Sequence, residues 1–563
     1  MVAESGDAPG VPTIADLLAA RADDHHVGLV SGDEEWTWRQ IVAEAARRAA
    51  LLEQARVPGP FHVGVLLDNV AEYLFVLCAA GLGGAVVVGI NSTRRGAELA
   101  ADISHTDCQL ILTDPAGVAL LAGLDLGLAP DRVWDVTGAE YASRLAGVGA
   151  DPTVDAPVGP EDLYALLFTS GSSGAPKAVR MTQGRAARAS SSGICSRRSV
   201  PYCAMPLFHG NALNALIFPA MATGATIVMR PRFSASAFLS DVRRHGCTYF
   251  SAIGRVLSYI LATPELADDA ENPLQFVLGP ESSQPDMEAF ERRFGCPVFS
   301  GYGSSENAII LQPAPGVSRS ALGLPPPGQD VAIIDPATNL ECPRARFDDG
   351  GALLNAAEAI GEIVGRNNLS MFEGYYNNDA AMVERTRHGW YWSGDLGYRD
   401  AAGVFWFAGR TADWIRVDGE NFAAAPVERI LGRFPGARVV VVYGVPDTRN
   451  SDDQVMAAIE LEEGPELDAV AFEAFLADQS DLGTKWPPRY VRVVDRMPVT
   501  GTNKVDRKPL RAAAWRTADP VWWRPGRRDP YRRLTDADVA ALEAELAASG
   551  RRAVLEGSTA PDN

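Results

Sequence analysis

Cysteine and histidine are scarce in this 563-residue chain, at seven each, and neither is arranged for chemistry. The cysteines (Cys78, Cys108, Cys195, Cys203, Cys247, Cys296 and Cys342) are odd in number and contain no Cys-x-x-Cys pair, which speaks against a disulfide framework and for reduced thiols. The histidines form no ligand-spaced set, His25 and His26 being merely adjacent, so no metal cage built by the protein alone is expected. Basic charge is also short: 51 Lys and Arg face 71 Asp and Glu, a formal net charge of -20. That balance excludes a broad nucleic-acid surface, and an anionic substrate must find a local positive site. Long apolar runs are nearly absent. The exception, Leu74 to Ile90, is seventeen residues without a charge but holds four glycines, and it divides into a helix through Ala80, a turn and a strand Ala85–Ile90. It is read as buried α/β structure. Met1 to Gly10 lacks the basic-then-apolar order of a signal peptide, so a cytoplasmic location is expected.

What is present is ordinary in bulk, with 47% hydrophobic and 22% charged residues. The length exceeds what one hydrophobic core supports, so at least two domains are expected. Thr37-Trp-Arg-Gln40 fits a capping box and opens a helix to about Gln54, with Ile41, Ala45 and Leu52 on one face. Strand patterns at 63–67, 85–90 and 109–113 each follow a helical one, the alternation of an α/β fold with largely parallel sheets. Ligands on such sheets gather at the carboxyl ends of strands. The alternation resumes at 202–298, with strands near 225–229, 249–252 and 276–278. From Ala321 to Tyr398, Gly, Pro and Asp turns separate short strands, a β-rich subdomain. After Gly409-Arg410 a separate α+β lobe of about a hundred residues begins. The expected division is an N-terminal domain 1–410, a mobile C-terminal lobe 411–517, and a Trp/Arg-rich strap with a terminal helix, 518–563, carrying Trp522-Trp523 and five arginines between Arg524 and Arg533.

The stretch around which the rest is organised is Thr169-Ser170-Gly171-Ser172-Ser173-Gly174-Ala175-Pro176-Lys177, behind the apolar run 163–168. With little side-chain bulk, its backbone N–H groups and hydroxyls can close around an anion. It is not a Walker loop, which needs Gly-Lys-Ser/Thr opening a helix. Here Val179 and Met181 alternate with Arg180 and Thr182, so a second strand leaves the loop.

Four further stretches stand downstream: Gly301-Tyr-Gly-Ser-Ser-Glu306, Tyr391-Trp-Ser-Gly-Asp395, Gly409-Arg410 through Gly419-Glu-Asn421, and Pro498-Val-Thr-Gly-Thr-Asn-Lys504-Val-Asp-Arg507. In this order and separation the five resemble the adenylate-forming superfamily of acyl-CoA synthetases, peptide-synthetase adenylation domains and luciferases. The resemblance spans residues from about 12 to 511 and is nearest to the fatty-acid-transport, very-long-chain and actinobacterial fatty- or steroid-acid CoA ligases. It implies a large domain, a mobile lobe, and two half-reactions: a carboxylate and ATP give acyl-AMP and pyrophosphate, then the thiol of coenzyme A displaces AMP.

The resemblance also assigns residues. Thr169, Ser170, Gly171, Ser172, Ser173, Gly174 and Lys177 would hold the β- and γ-phosphates, and Glu306 the Mg²⁺ that neutralises them. Tyr302, with Gly303 and Ser305, would meet the adenine, walled by Gly279 and Pro280. Asp395 and Arg410 would fix the ribose, and Lys504 would reach the carboxylate and α-phosphate. Gly419, Glu420 and Asn421 would line the pantetheine passage. The hinge position carries Ala412 where Asp or Lys is usual.

An amino-acid substrate is disfavoured, because Met205-Pro-Leu-Phe-His-Gly-Asn-Ala-Leu-Asn214 has His209 where an acid is wanted. By the resemblance, His209 would gate the way between acyl pocket and thiol channel. Ala212, Leu213, Ala252, Ile253, Val277 and Leu278 would line a pocket for a hydrocarbon acid, fatty or steroidal. The alternatives are a fatty acyl-AMP ligase serving a carrier-protein thiol, and a non-catalytic nucleotide- or lipid-binding relative. Peripheral membrane contact and the choice between monomer and homodimer stay open.

Overall fold

The capping box closes at both ends: Thr37 Oγ1 accepts from the Gln40 N–H (3.3 Å) and Gln40 Oε1 from the Thr37 N–H (2.8 Å). The helix it starts, Trp38–Ala55, buries Trp38, Ile41, Ala45, Ala49 and Leu52. This computed structural model describes residues 11–548 apart from 150–151, 153, 155–156, 170–175, 190–192, 254–255, 281, 283, 319–320, 349–352, 411–413, 418–419, 449–452, 463–465, 480–481, 484, 501–503 and 527–528.

The chain divides into two units, and not in chain order. One comprises Met1–Ile310 with Asn368–Arg387, the other Leu311–Asn367 with His388–Asn563. The first holds two seven-stranded sheets. One runs, edge to edge, through Val298–Phe299, Phe276–Leu278, Tyr249–Ser251, Pro201–Cys203, Ile227–Met229 and Val27–Ser31, all parallel, to an antiparallel Glu34–Thr37. The other has a parallel core of Leu163–Phe168, Val86–Gly89, His62–Leu66, Cys108–Thr113 and Val133–Asp135. At its edge, Ala178–Thr182 and Tyr375–Tyr376 are added antiparallel. The Leu74–Ile90 stretch supplies the end of helix Ala71–Gly83, a left-handed Gly84 and the buried strand Val86–Gly89. Among the described residues no helix is long and apolar enough to cross a membrane.

In the second unit, Val331–Ile334, Gly361–Gly365, Tyr391–Arg399 and Phe405–Arg410 form an antiparallel sheet. Trp414–Val417 and Glu420–Ala423 make a hairpin. A five-stranded sheet follows: Ala437–Pro446, Asp453–Leu461, Tyr490–Val494, Val521–Trp523 and Arg532–Arg533.

That last sheet corrects the expectation of a strap. Val521–Trp523 does not cross the sheet but pairs antiparallel with Tyr490–Val494 inside it. Val-Trp-Trp has the β-branched and aromatic character that pleated, half-buried surfaces favour. Trp523 stacks on Tyr490, ring centroids 6.0 Å apart. The arginines cover the remaining ring faces, Arg532 over Trp523 at 5.1 Å and Arg533 over Trp522 at 4.6 Å.

Candidate active site at the carboxyl ends of the parallel strands

In the first unit the candidate residues follow the carboxyl ends of parallel strands, where such sheets leave a crevice. Thr169 follows Leu163–Phe168, and the Met205–Asn214 stretch follows Pro201–Cys203. Ala252 and Ile253 follow Tyr249–Ser251, Gly279 and Pro280 follow Phe276–Leu278, and Tyr302 to Glu306 follow Val298–Phe299. The two sheets meet here. A Cβ on Gly210 would lie 3.4 Å from Ser305 Oγ and 3.6 Å from Leu167 Cδ1, and one on Gly89 only 3.0 Å from Phe208 Cα. Bulk at Gly89 would push the His209 loop off the strand end.

The hairpin forms as the residue alternation implies. Phe168 pairs with Ala178, and the Thr169 N–H donates to the Lys177 carbonyl at 3.1 Å, drawing the loop's ends together. Ser170, Gly171, Ser172, Ser173 and Gly174 lie outside the described residues. Lys177 is largely buried, and its Nζ stands 2.9 Å from Glu384 Oε2. Burial alone would raise the Glu384 carboxyl, but the hydrogen bond and charge of Lys177, followed by the charges of Arg385 and Arg387, hold it below its ordinary range. Asn378 secures the same spot from the other end of helix Asp379–Arg385. Its Oδ1 accepts from the Ala381 N–H (3.0 Å) and its Nδ2 donates to the Pro176 carbonyl (3.1 Å).

Glu306 is a buried carboxylate, 7% exposed. The Tyr375 hydroxyl donates to its Oε1 at 2.7 Å. Burial first, then the Glu306 charge, pushes the Tyr375 phenol up, so it remains a donor. Arg185, 4% exposed, donates to the Ser305 carbonyl and, at 2.7 Å, to the Arg180 carbonyl. Glu373 binds the Thr182 N–H (2.8 Å) and hydroxyl (2.7 Å) at the foot of the hairpin. Among the described residues no three His, Cys, Asp or Glu side chains converge on one point. The donor set nonetheless fits Mg²⁺, which takes one or two carboxylates and completes its shell with substrate phosphates and water.

His209 caps a short helical turn, and its Nδ1 accepts from the Asn211 N–H at 3.3 Å, which places the proton of the neutral ring on Nε2. Asn211 Oδ1 in turn accepts from Ser251 Oγ at 2.7 Å, and a π-helical turn, Leu213–Ile217, follows. Such turns are frequent at functional sites. Buried Asn69 clamps the loop, donating to the Met205 carbonyl (2.8 Å) and accepting from the Leu207 N–H (3.0 Å).

The six expected acyl-pocket residues are not brought together on one face. Ala212, Leu213 and Leu278 belong to the core around Trp38 and Phe218, whereas Ala252 and Val277 lie in a second core with Phe250 and Phe290. Neighbours on a strand point to opposite faces, so Val277 and Leu278 cannot both face one cavity. Ile253 is buried at 3% exposure. Tyr302 and Pro280 are half-buried and Gly303 exposed.

In the second unit, Asp395 and Arg410 are cross-strand partners in the antiparallel sheet. The Arg410, Glu420 and Asn421 side chains, with Gly419 and Ala412, lie outside the described residues, although the Glu420 and Asn421 backbone opens the hairpin's second strand. At Lys504 the Thr500 N–H donates to the Lys504 carbonyl (2.7 Å), and Val499 pairs with Val505.

Comparison with known proteins gives this arrangement its family. Residues 18–376 match the family model described as AMP-binding enzyme. The chain belongs to the AMP-binding enzyme family. This AMP-binding enzyme is 49% identical to the steroid-22-oyl-CoA synthetase of Rhodococcus jostii (strain RHA1), over 96% of the chain and 99% of that protein. It is 42% identical to the medium/long-chain-fatty-acid–CoA ligase FadD17 of Mycobacterium marinum, over 91% and 98%. Among solved structures it shares the fold of the anthranilate CoA ligase AuaEII bound to anthranoyl-AMP, with a TM-score of 0.75 and 21% identity over 90% and 98% of the two chains.

Sequence reading missed Asn69, Arg185, Glu373, Tyr375, Asn378 and Glu384. Each acts across a long sequence separation. Only Asn378 carried a local sign, an Asn before a short helical pattern.

Proposed function

We propose that the chain is an ATP-dependent acyl-CoA synthetase that activates a hydrophobic carboxylic acid, a fatty acid or a steroid side-chain acid, through acyl-AMP. The observation that carries this reading is the meeting of hairpin, Glu306 and His209 loop at the carboxyl strand ends, in an AMP-binding enzyme whose relatives over nearly full length are named as CoA ligases.

The chemistry follows from charge. A carboxylate's oxygen is too poor a leaving group for direct transfer to a thiol, so it must first attack the α-phosphate, and both reactants are anions. Positive charge and positioning are what the protein can supply. The hairpin N–H groups, the hydroxyls of Thr169, Ser170, Ser172 and Ser173, and Lys177 hold the β- and γ-phosphates. Glu306 would hold a Mg²⁺, which would supply positive charge against the phosphates. Asp395 and Arg410 fix the ribose, Tyr302 meets the adenine, and Lys504 brings an ammonium to the reacting oxygens. His209 gates the thiol's approach. Gly419, Glu420 and Asn421 line the thiol's passage once the lobe has turned about Ala412. The reaction is placed in the cytoplasm, where ATP and coenzyme A are available.

The test is a panel of fatty and steroid side-chain acids assayed for AMP release with and without coenzyme A. Acid-dependent AMP release that requires coenzyme A and yields the thioester supports the reading. Acyl-AMP that accumulates and is passed only to a carrier protein would favour the acyl-AMP ligase instead.

A further inference from the structure

One contact at the hairpin has no part in the chemistry above: the ion pair between Lys177 and Glu384, closed at 2.9 Å. Its two halves are unequally exposed, the Lys177 side chain at 15% and that of Glu384 at 61%. The lysine is thus fixed in the protein, where an ammonium without an anion is costly, and the glutamate can swing into water at little cost. The helix that carries Glu384 is anchored separately, through Asn378 on the Pro176 carbonyl. Moving the Glu384 side chain therefore leaves the hairpin's exit in place. The charges of Arg385 and Arg387 act on the same carboxylate, less than that of Lys177.

We propose that Glu384 tempers the binding of β- and γ-phosphates at this site, holding Lys177 as a stand-in for phosphate until a ligand bearing those phosphates displaces it. The proposal rests on the reading of Lys177 as a phosphate ligand. A triphosphate or pyrophosphate carries several negative charges and outcompetes a single carboxylate for the ammonium. AMP has no group at the hairpin, so its binding neither displaces Glu384 nor draws on Lys177. After the first half-reaction, departing pyrophosphate would be replaced by Glu384, which favours its release.

The test is calorimetric titration of the full chain, without acid or coenzyme A, with MgATP, pyrophosphate and AMP, for the unaltered enzyme and for E384Q and E384A. Release of a partly exposed ion pair should tighten MgATP and pyrophosphate about two- to fivefold and leave AMP unchanged. In K177M the additional change E384Q should have no effect, because the competition needs the lysine. Equal shifts for AMP and ATP, or weaker ATP binding in both Glu384 variants, would overturn this proposal alone. If the unaltered enzyme bound no ATP, the phosphate reading would fall and this proposal with it.

Discussion

Replacing Lys504 by Ala removes a charge and leaves the backbone hydrogen bonds around it in place. The backbone here is held by the Thr500 N–H on the Lys504 carbonyl (2.7 Å), the Lys504 N–H on Thr500 Oγ1 (3.3 Å) and the Asp506 N–H on the Pro498 carbonyl (2.9 Å). Beyond it Asp506 caps the helix Arg507–Ala513, and Arg507 reaches Glu428 at 2.8 Å. All of these survive truncation at Cβ, so K504A should keep its fold and its urea midpoint. What it loses is an ammonium brought to two anions. A unit charge about 4 Å away contributes about 4 kcal/mol at an effective dielectric near 20, or about a thousandfold in rate. The loss should fall on one half-reaction. Pyrophosphate–ATP exchange should drop by about three orders of magnitude, while chemically made acyl-AMP should still be converted to acyl-CoA at a near-normal rate. An unchanged overall rate, or an equal loss in both half-reactions, would refute the assignment.

Three other perturbations follow from the first unit. Arg48 is buried and bound to Glu72 and Glu44, each at 2.5 Å, so R48M should lower stability by about 3 kcal/mol, whereas R144A, at an exposed pair, should cost less than about 0.5 kcal/mol, both read from urea unfolding. Asp102 is fully buried, with Arg94 Nε at 2.9 Å but off the hydrogen-bonding direction, and burial pushes its carboxyl up to about 6. The unfolded chain then releases this proton at lower pH than the folded one. Stability should fall by up to about 3 kcal/mol as pH rises from about 4 to 6, and D102N should flatten that slope; identical slopes would contradict it. N69L strands the Met205 carbonyl and the Leu207 N–H. It should cost about 2 kcal/mol and raise the KM for the acid more than that for ATP, since the loop it loosens carries His209.

How much of this was legible depended on range. The helix Trp38–Ala55 and the strand that begins after Lys177 were written locally, in a capping box and in the alternation of Val179 and Met181 with Arg180 and Thr182. The fold-back of Asn368–Arg387 onto the first unit was not. A two-residue strand, Tyr375–Tyr376, has too little pattern to find, yet it delivers Tyr375 to Glu306 across 69 positions. The split of the acyl-pocket candidates between two cores was legible locally, because period-two alternation puts Val277 and Leu278 on opposite faces. The strap was likewise readable as a strand from Val521-Trp522-Trp523, where the arginine cluster drew attention away from β-propensity.

The central claim, that a hydrophobic acid is joined to AMP at the glycine-lined hairpin, is tested most directly by pyrophosphate–ATP exchange in the absence of coenzyme A. Exchange should depend on a fatty or steroid side-chain acid and collapse in K177M. Exchange indifferent to added acid, or undiminished without Lys177, would contradict it.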